Sequence, residues 1–104
     1  AADIGGAGEL IHYAMSKGAI HSLTYGMAKE LGQYGIRVNA VSPGLIDTEI
    51  HAKAGDSKRV EKLLPSVPLS RVGLAKEVAD AVLWLLSPKS SYVCGTIVKI
   101  SGGR

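Results

Sequence analysis

Apolar residues between Ile11 and Leu31 recur at three- and four-residue steps, at Ile20, Leu23, Met27 and Leu31, while Lys29 and Glu30 fall off that stripe. The period predicts a helix over 11–31, with Gly32 and Gly35 supplying its stop. A second ridge on the same segment, Ala14, Gly18, Ser22 and Gly26, is nearly without side chains. Glycine inside a helix costs up to about 1 kcal/mol against alanine, so this ridge predicts close approach by a sheet, a partner helix or a ligand. Residues 36–42, Ile-Arg-Val-Asn-Ala-Val-Ser, are rich in β-branched types and end at Pro43-Gly44, which predicts a strand running into a turn. From Thr48 to Leu64 the chain is polar and punctuated by Gly55-Asp56-Ser57 and Pro65, and one or two short helices forming a flap are expected. Between Leu74 and Leu86, Val78, Val82, Leu85 and Leu86 join Ala75, Ala79 and Ala81 in a wide apolar face; Glu77 falls in the first turn and Pro88 follows the end. That pattern is a helix. Thr96–Ile100 predicts a closing strand before Gly102-Gly103.

The order helix, strand, flap, helix, strand is an α/β pattern, and two strands joined through a helix run parallel by the usual crossover. Two strands do not make a stable parallel sheet, because edges and faces would stay uncovered. More chain or another copy must supply neighbours, and the expectation is the C-terminal part of a larger domain.

Composition narrows the class. With 104 residues, 46% hydrophobic and 20% charged, the chain has too much apolar content for a disordered segment. No apolar run approaches the roughly 18 to 20 residues needed to span a bilayer, so no membrane role is expected. The net charge of +3 is distributed among scattered acidic residues. Lys58-Arg59, the densest basic stretch, lacks interleaved aromatics and reads as a solvated helix face, which argues against a nucleic-acid partner. A single cysteine, Cys94, fits a reducing compartment such as the cytoplasm and reads as a small buried filler. The N-terminus has neither an initiator Met nor the pattern of a signal peptide. His12, His21 and His51 lack metal-ligand spacing, so no metal is expected. His12 is expected at a cleft edge, Tyr25 and Tyr34 as packing residues, and Trp84 in the core or an interface.

Two arrangements carry chemistry. In Tyr13-Ala14-Met15-Ser16-Lys17 the spacing of four puts a phenol and an ammonium on the same helix face, and a nearby cation favours phenolate. A tyrosine so placed can serve as an acid or base near neutrality. In Pro43-Gly44-Leu45-Ile46-Asp47-Thr48 a turn at the end of a parallel strand bares backbone groups that can pair with an amide, at the edge where open α/β sheets bind ligands. Each pattern alone also has a plain reading: a surface pair on a helix, and a strand-to-helix turn with Thr48 as cap.

Taken together the stretches Tyr13–Ala19, Gly35–Gly44 with Thr48, Pro68-Leu69 to Arg71 with Glu77-Val78-Ala79, and Gly95–Gly103 resemble the classical short-chain dehydrogenase/reductase family, in the family's order and spacing. The resemblance implies a Rossmann-like doubly wound parallel sheet with helices on both faces. Residues 1–104 would form the C-terminal part of a single NAD(P)-binding domain. It implies an NAD(P)-dependent oxidoreductase acting on a secondary alcohol or ketone, with Tyr13 exchanging the proton, Lys17 assisting it and bonding the nicotinamide ribose, and both bordering the coenzyme, NAD or NADP. Pro43 and Gly44 would cover the nicotinamide ring, the backbone of Ile46 would pair with its carboxamide, and Thr48 would contact the carboxamide or the pyrophosphate. The stretch 49–64 would be the substrate lid. The helix that carries Tyr13, the helix before Leu86 and the last strand imply a homo-oligomer, dimer or tetramer. Sugar dehydrogenases and 3-oxoacyl-thioester reductases are the members most similar to it, so a small alcohol or carbonyl compound is the expected substrate. The family's glycine-rich loop and catalytic serine belong upstream of Ala1, so these residues alone are not expected to turn over. A non-catalytic assembly or regulatory member of the family is the alternative.

Overall fold

Helix α1 spans Ile11–Leu31, the range that the periodicity predicts. The computed structural model describes residues 5, 8–48 and 57–104, and within the chain it separates two compact units, Ala1–Ala40 with Tyr92–Ile97 and Val41–Ser91 with Val98–Arg104.

In the first unit α1 ends as its two glycines predict. Gly32–Tyr34 forms a final tight turn and Gly35, with φ of 73°, takes the left-handed conformation while its N–H donates to the Gly32 carbonyl at 3.0 Å. The covered face differs from the expected one. Ala14 and Thr24 are buried and His21, Ala28 and Leu31 half-buried, whereas Ile20 and Leu23 are exposed at 51% and 54%. Apolar residues stand on more than one side of α1, and the segment that packs on it selects small side chains: a Cβ built at Gly95 would lie 3.2 Å from the Ala28 Cβ. Among the described residues nothing outside α1 lies within 4 Å of a Cβ built at Gly18 or Gly26, and the close contact on α1 is at Ala28. Thr24, buried among carbons, satisfies its hydroxyl by donating to the Ile20 carbonyl at 2.8 Å. Tyr25 and Tyr34, expected to pack, are exposed, because they lie on the uncovered sides of α1 and its final turn.

The first strand is shorter than predicted. Strand β1 covers Ala40–Pro43 only. Residues 36–39 do run beside 93–96, with Gly95 N–H donating to the Val38 carbonyl at 2.7 Å. There, however, the Asn39 carboxamide takes over the ladder, donating to the Val93 carbonyl at 2.9 Å and accepting the Thr96 N–H at 3.1 Å. A side chain that mimics a peptide group bridges the two segments without regular pairing. Cys94, expected to be buried, is exposed; Gly95, not the thiol, makes the tight contact on α1.

Four strands are present among the described residues. Besides β1 there are β2 (Ile46–Asp47), β3 (Gly73–Leu74) and β4 (Ile97–Ile100), pairing as β1 with β4 and β2 with β3. Ala40 N–H donates to the Thr96 carbonyl and Gly44 N–H to the Ile100 carbonyl, both at 2.9 Å, and both bonds link residues at the same separation along the chain. The two strands therefore advance together, parallel, as the crossover requires.

In the second unit, helix α2 (Ser57–Leu63) leads into a tight turn at Leu64–Ser66. Residues 49–56, the first part of the expected flap, lie outside the described residues. Lys58 and Arg59 are exposed, as a solvated face requires. Helix α3 spans Ala75–Leu86, with Leu74 as its extended N-cap residue. Leu85 is buried and Val78 and Val82 half-buried, but Trp84, Leu83 and Leu86 are exposed, so the covered stripe is narrower than the apolar face. With Leu85, the side chains of Leu45, Ile46 and Val67 make the buried centre of this unit.

Two polar devices fix the ends of α3. At its start the Glu77 carboxylate accepts the Leu74 N–H at 2.8 Å and both Arg71 guanidinium nitrogens, at 2.9 and 2.6 Å. At its end the Ser90 hydroxyl, 1% exposed, lies 2.9 Å from the carbonyls of both Trp84 and Leu85 and 3.1 Å from that of Ser87. Helix ends leave carbonyls without intrahelical partners; here the Ser87 N–H and hydroxyl both donate to the Trp84 carbonyl, and the Ser90 hydroxyl adds one further donor among the three.

Two outcomes are expected. Ser90→Ala removes one buried donor from carbonyls that keep other partners and should cost about 1 kcal/mol, read from denaturant unfolding of the full chain; an unchanged midpoint would show that the hydroxyl adds nothing to the helix end. Arg71, first by its hydrogen bonds, and then the Leu74 N–H hold the Glu77 carboxyl down from 4.5 to about 2. Because the folded value lies below the unfolded one, the corner's contribution is complete above about 4.5 and is lost as pH falls toward 2. Glu77→Gln should therefore flatten the stability profile across that window in thermal melts, and an unaltered profile would contradict the assignment.

Candidate active site

The expected Tyr13 and Lys17 pair lies in the first turns of α1, in the first unit. Lys17 Nζ stands over the Tyr13 ring, 5.2 Å from its centroid, so the four-residue spacing does place phenol and ammonium on one face. Tyr13 is 46% exposed and Lys17 is exposed beside it. The backbone beneath is regular helix, and Ser16 Oγ donates to the Tyr13 carbonyl at 2.7 Å. The ammonium lies against the ring of an accessible phenol, as a cation on an aromatic face does. His12, next to it, is exposed.

Pro43, Gly44, Ile46 and Thr48 belong to the second unit, except that β1 begins one residue earlier, at Ala40. Pro43 is the last residue of β1, where it needs no N–H for the ladder. Gly44 passes so close to the C-terminal segment that a Cβ would fall 2.8 Å from Ser101 Cα, a backbone atom that cannot swing aside. Only glycine fits there, and the turn that follows is fixed by it. The Leu45 and Ile46 side chains then enter the buried centre, anchoring a backbone that would otherwise be a loop. Thr48 is half-buried.

The register of β2 on β3 decides where the peptide groups of Ile46 point. Ile46 pairs with Gly73 and Asp47 with Leu74, in parallel, and the Gly73 N–H donates to the Leu45 carbonyl at 2.9 Å. In a parallel ladder alternate residues turn their N–H and C=O to the same neighbour. With the Leu45 carbonyl facing β3, the N–H and C=O of Ile46 face the opposite side, one donor and one acceptor on a single edge. A primary carboxamide, such as that of nicotinamide, is complementary to that edge, so the residues present fit the group that the sequence implies.

A further feature was not legible beforehand. An open cleft of ≈ 440 Å³ in the second unit is walled by Ile46, Leu69, Arg71 and Glu77 and floored by the segment from Lys99 to Gly103. Arg71 and Glu77 stand in the sequence stretches that carry the family resemblance, but spacing alone gives them no role. Among the described residues no three His, Cys, Asp or Glu side chains gather to hold a metal ion, and no helix is long and apolar enough to cross a membrane.

Comparison with known proteins places these features in a family. The family model described as enoyl-(acyl carrier protein) reductase matches residues 1–104. An uncharacterized oxidoreductase of Escherichia coli, YgfF, is 48% identical over 104 residues, which is all of this chain and 42% of the relative. A blue fluorescent protein from a metagenomic library, solved in complex with NADPH, superposes with a TM-score of 0.88 at 34% identity, over 98% of this chain and 40% of that one. A 3-oxoacyl-[acyl-carrier protein] reductase from Brucella melitensis with bound NAD gives a TM-score of 0.75 at 43% identity, over 88% and 32%. The chain thus spans about two fifths of the length of the curated relative it matches. Sequence and fold agree along the chain, with the same parallel strands and crossing helices: it belongs to the classical short-chain dehydrogenase/reductase family.

Proposed function

We propose that residues 1–104 are the C-terminal part of a single NAD(P)-binding Rossmann-like domain, in an oxidoreductase that interconverts a secondary alcohol and a ketone. The observation that carries this reading is the Lys17 ammonium lying 5.2 Å over the ring of an exposed Tyr13, in a chain whose family is that of the dehydrogenases. A bound nicotinamide coenzyme, NAD or NADP, supplies the hydride acceptor or donor.

The chain's own residues do the rest of what is proposed. The Tyr13 hydroxyl donates its proton to the carbonyl oxygen in reduction, or receives the alcohol proton in oxidation. Lys17 stabilises the negative charge that develops on the phenol oxygen and is a donor for the nicotinamide ribose. Ile46, through its N–H and C=O, orients the carboxamide, with Thr48 beside it, and Pro43-Gly44 covers the ring. Support for the last three comes from the rigid Gly44 turn and from the direction in which the β2 register turns Ile46.

The substrate is proposed to be a small carbonyl or alcohol compound, of the 3-oxoacyl-thioester or sugar type. Exposed Ile20, Leu23, Trp84 and Leu86 support a homo-oligomer, dimer or tetramer. The chain's single cysteine supports a cytoplasmic location.

Tyr13→Phe in the complete protein should lower turnover at least about 100-fold, followed through coenzyme absorbance with 3-oxoacyl thioesters, ketones and sugars, while coenzyme binding is retained. A rate near that of the unaltered protein would overturn the acid/base role.

A further inference from the structure

The Glu77 carboxylate does more than start a helix. It is shared by three donors from two parts of the chain: the Arg71 guanidinium through two nitrogens and the Leu74 N–H. Leu74 is the second residue of β3, and the first, Gly73, holds the Leu45 carbonyl by its N–H. That bond decides which side of β2 the Ile46 peptide groups face. The contact is close as well as directional: a Cβ built at Gly73 would stand 2.7 Å from Ile46 Cδ1 and 3.8 Å from Glu77 Oε2. Glu77, Gly73 and Ile46 therefore form a short stack in which the carboxylate fixes β3 and β3 fixes β2.

A two-residue strand pair has little stability of its own, because it closes few bonds for the residues it orders. Its orientation must be imposed by neighbours. Ile46 is held from below by its buried side chain. Rotation of its peptide plane is held by Gly73, and Gly73 by the Arg71–Glu77–Leu74 corner.

We infer that Glu77, braced by Arg71, is a positioning residue for the carboxamide-binding edge of Ile46. It acts through β3. The inference rests on the coenzyme role proposed for Ile46. Loss of the Glu77 carboxylate frees the Leu74 N–H and lets β3 shift, so the N–H and C=O of Ile46 lose their common direction. Binding should suffer only for ligands that carry the nicotinamide.

The test compares two probes in the complete protein: NADH or NADPH, titrated by fluorescence, and ADP-ribose or its 2′-phosphate, which lack the nicotinamide, titrated by calorimetry. Glu77→Ala should raise the dissociation constant of the reduced coenzyme about tenfold or more while that of the ADP-ribose probe stays within about twofold. Glu77→Gln, which keeps an acceptor for the Leu74 N–H, should recover most of the loss. Arg71→Met, which leaves the Leu74 bond in place, provides a second route should Glu77→Ala fail to fold, and a severalfold loss confined to the reduced coenzyme is expected there too. Equal weakening of both probes, or no change in either, would overturn the positioning role and leave Glu77 a helix cap. If the unaltered protein binds ADP-ribose as tightly as the reduced coenzyme, the carboxamide role of Ile46 fails, and the positioning role with it.

Discussion

One backbone hydrogen bond, from the Gly73 N–H to the Leu45 carbonyl, sets the direction of the peptide groups on which the coenzyme contact proposed for Ile46 depends. Neither residue is chemically reactive. The bond matters because a parallel pair turns alternate peptides to opposite sides, so securing Leu45 on β3 commits Ile46 to the other side. The requirement propagates to side chains. Ile46 must bury its side chain to hold the strand, position 73 must lack a Cβ to let that side chain in, and Glu77 must cap Leu74 to keep β3 in place. A strand pair of two residues thus acquires the rigidity of a longer sheet from a buried apolar anchor on one side and a charge-assisted corner on the other.

In the first unit the corresponding constraint is steric. A Cβ at Gly95 would lie 3.2 Å from the Ala28 Cβ, so a side chain there would require its neighbour to give way. Asn39 then completes the pairing of 36–39 with 93–96 through its side chain, leaving α1 to present Tyr13 and Lys17 from its first turns on a regular backbone. Side chains placed on a helix rather than a loop inherit its precision, which suits the acid/base role proposed for a pair four residues apart on one face.

Much of this was legible in the sequence, and for a common reason. The bounds of α1 follow from periodicity and two glycines, the start of α3 from Glu77 three residues after Leu74, and the end of β1 from Pro43-Gly44. These are local signals, and local geometry honours them. Signals that depend on distant partners were less reliable. Residues 36–39 have strand composition, but Asn39 offers a side-chain amide in place of a ladder bond, and composition does not reveal that competition. The stripe Ile20, Leu23, Met27 has the right period yet stays exposed, because α1 is apolar on several sides and the segment that covers it needs small residues, not large ones. Cys94 was misplaced too: its thiol reaches the Ala28 carbonyl at 4.0 Å yet stays exposed, while Gly95 makes the closer approach. The β2–β3 pair was not visible at all: two residues per strand are too few to give a period. At the candidate site the pairing of Tyr13 with Lys17 could be read from spacing, whereas the three-donor corner at Glu77 needed coordinates, its partners being six and three residues away in a turn without a repeating pattern.

The most direct measurement of the central claim is a crystal structure of the complete protein with NADP or NAD bound. The account predicts the carboxamide hydrogen-bonded to both the N–H and the C=O of Ile46, with Gly73 still donating to Leu45. A coenzyme bound with its carboxamide elsewhere, or Ile46 peptide groups consumed by protein partners, would contradict it.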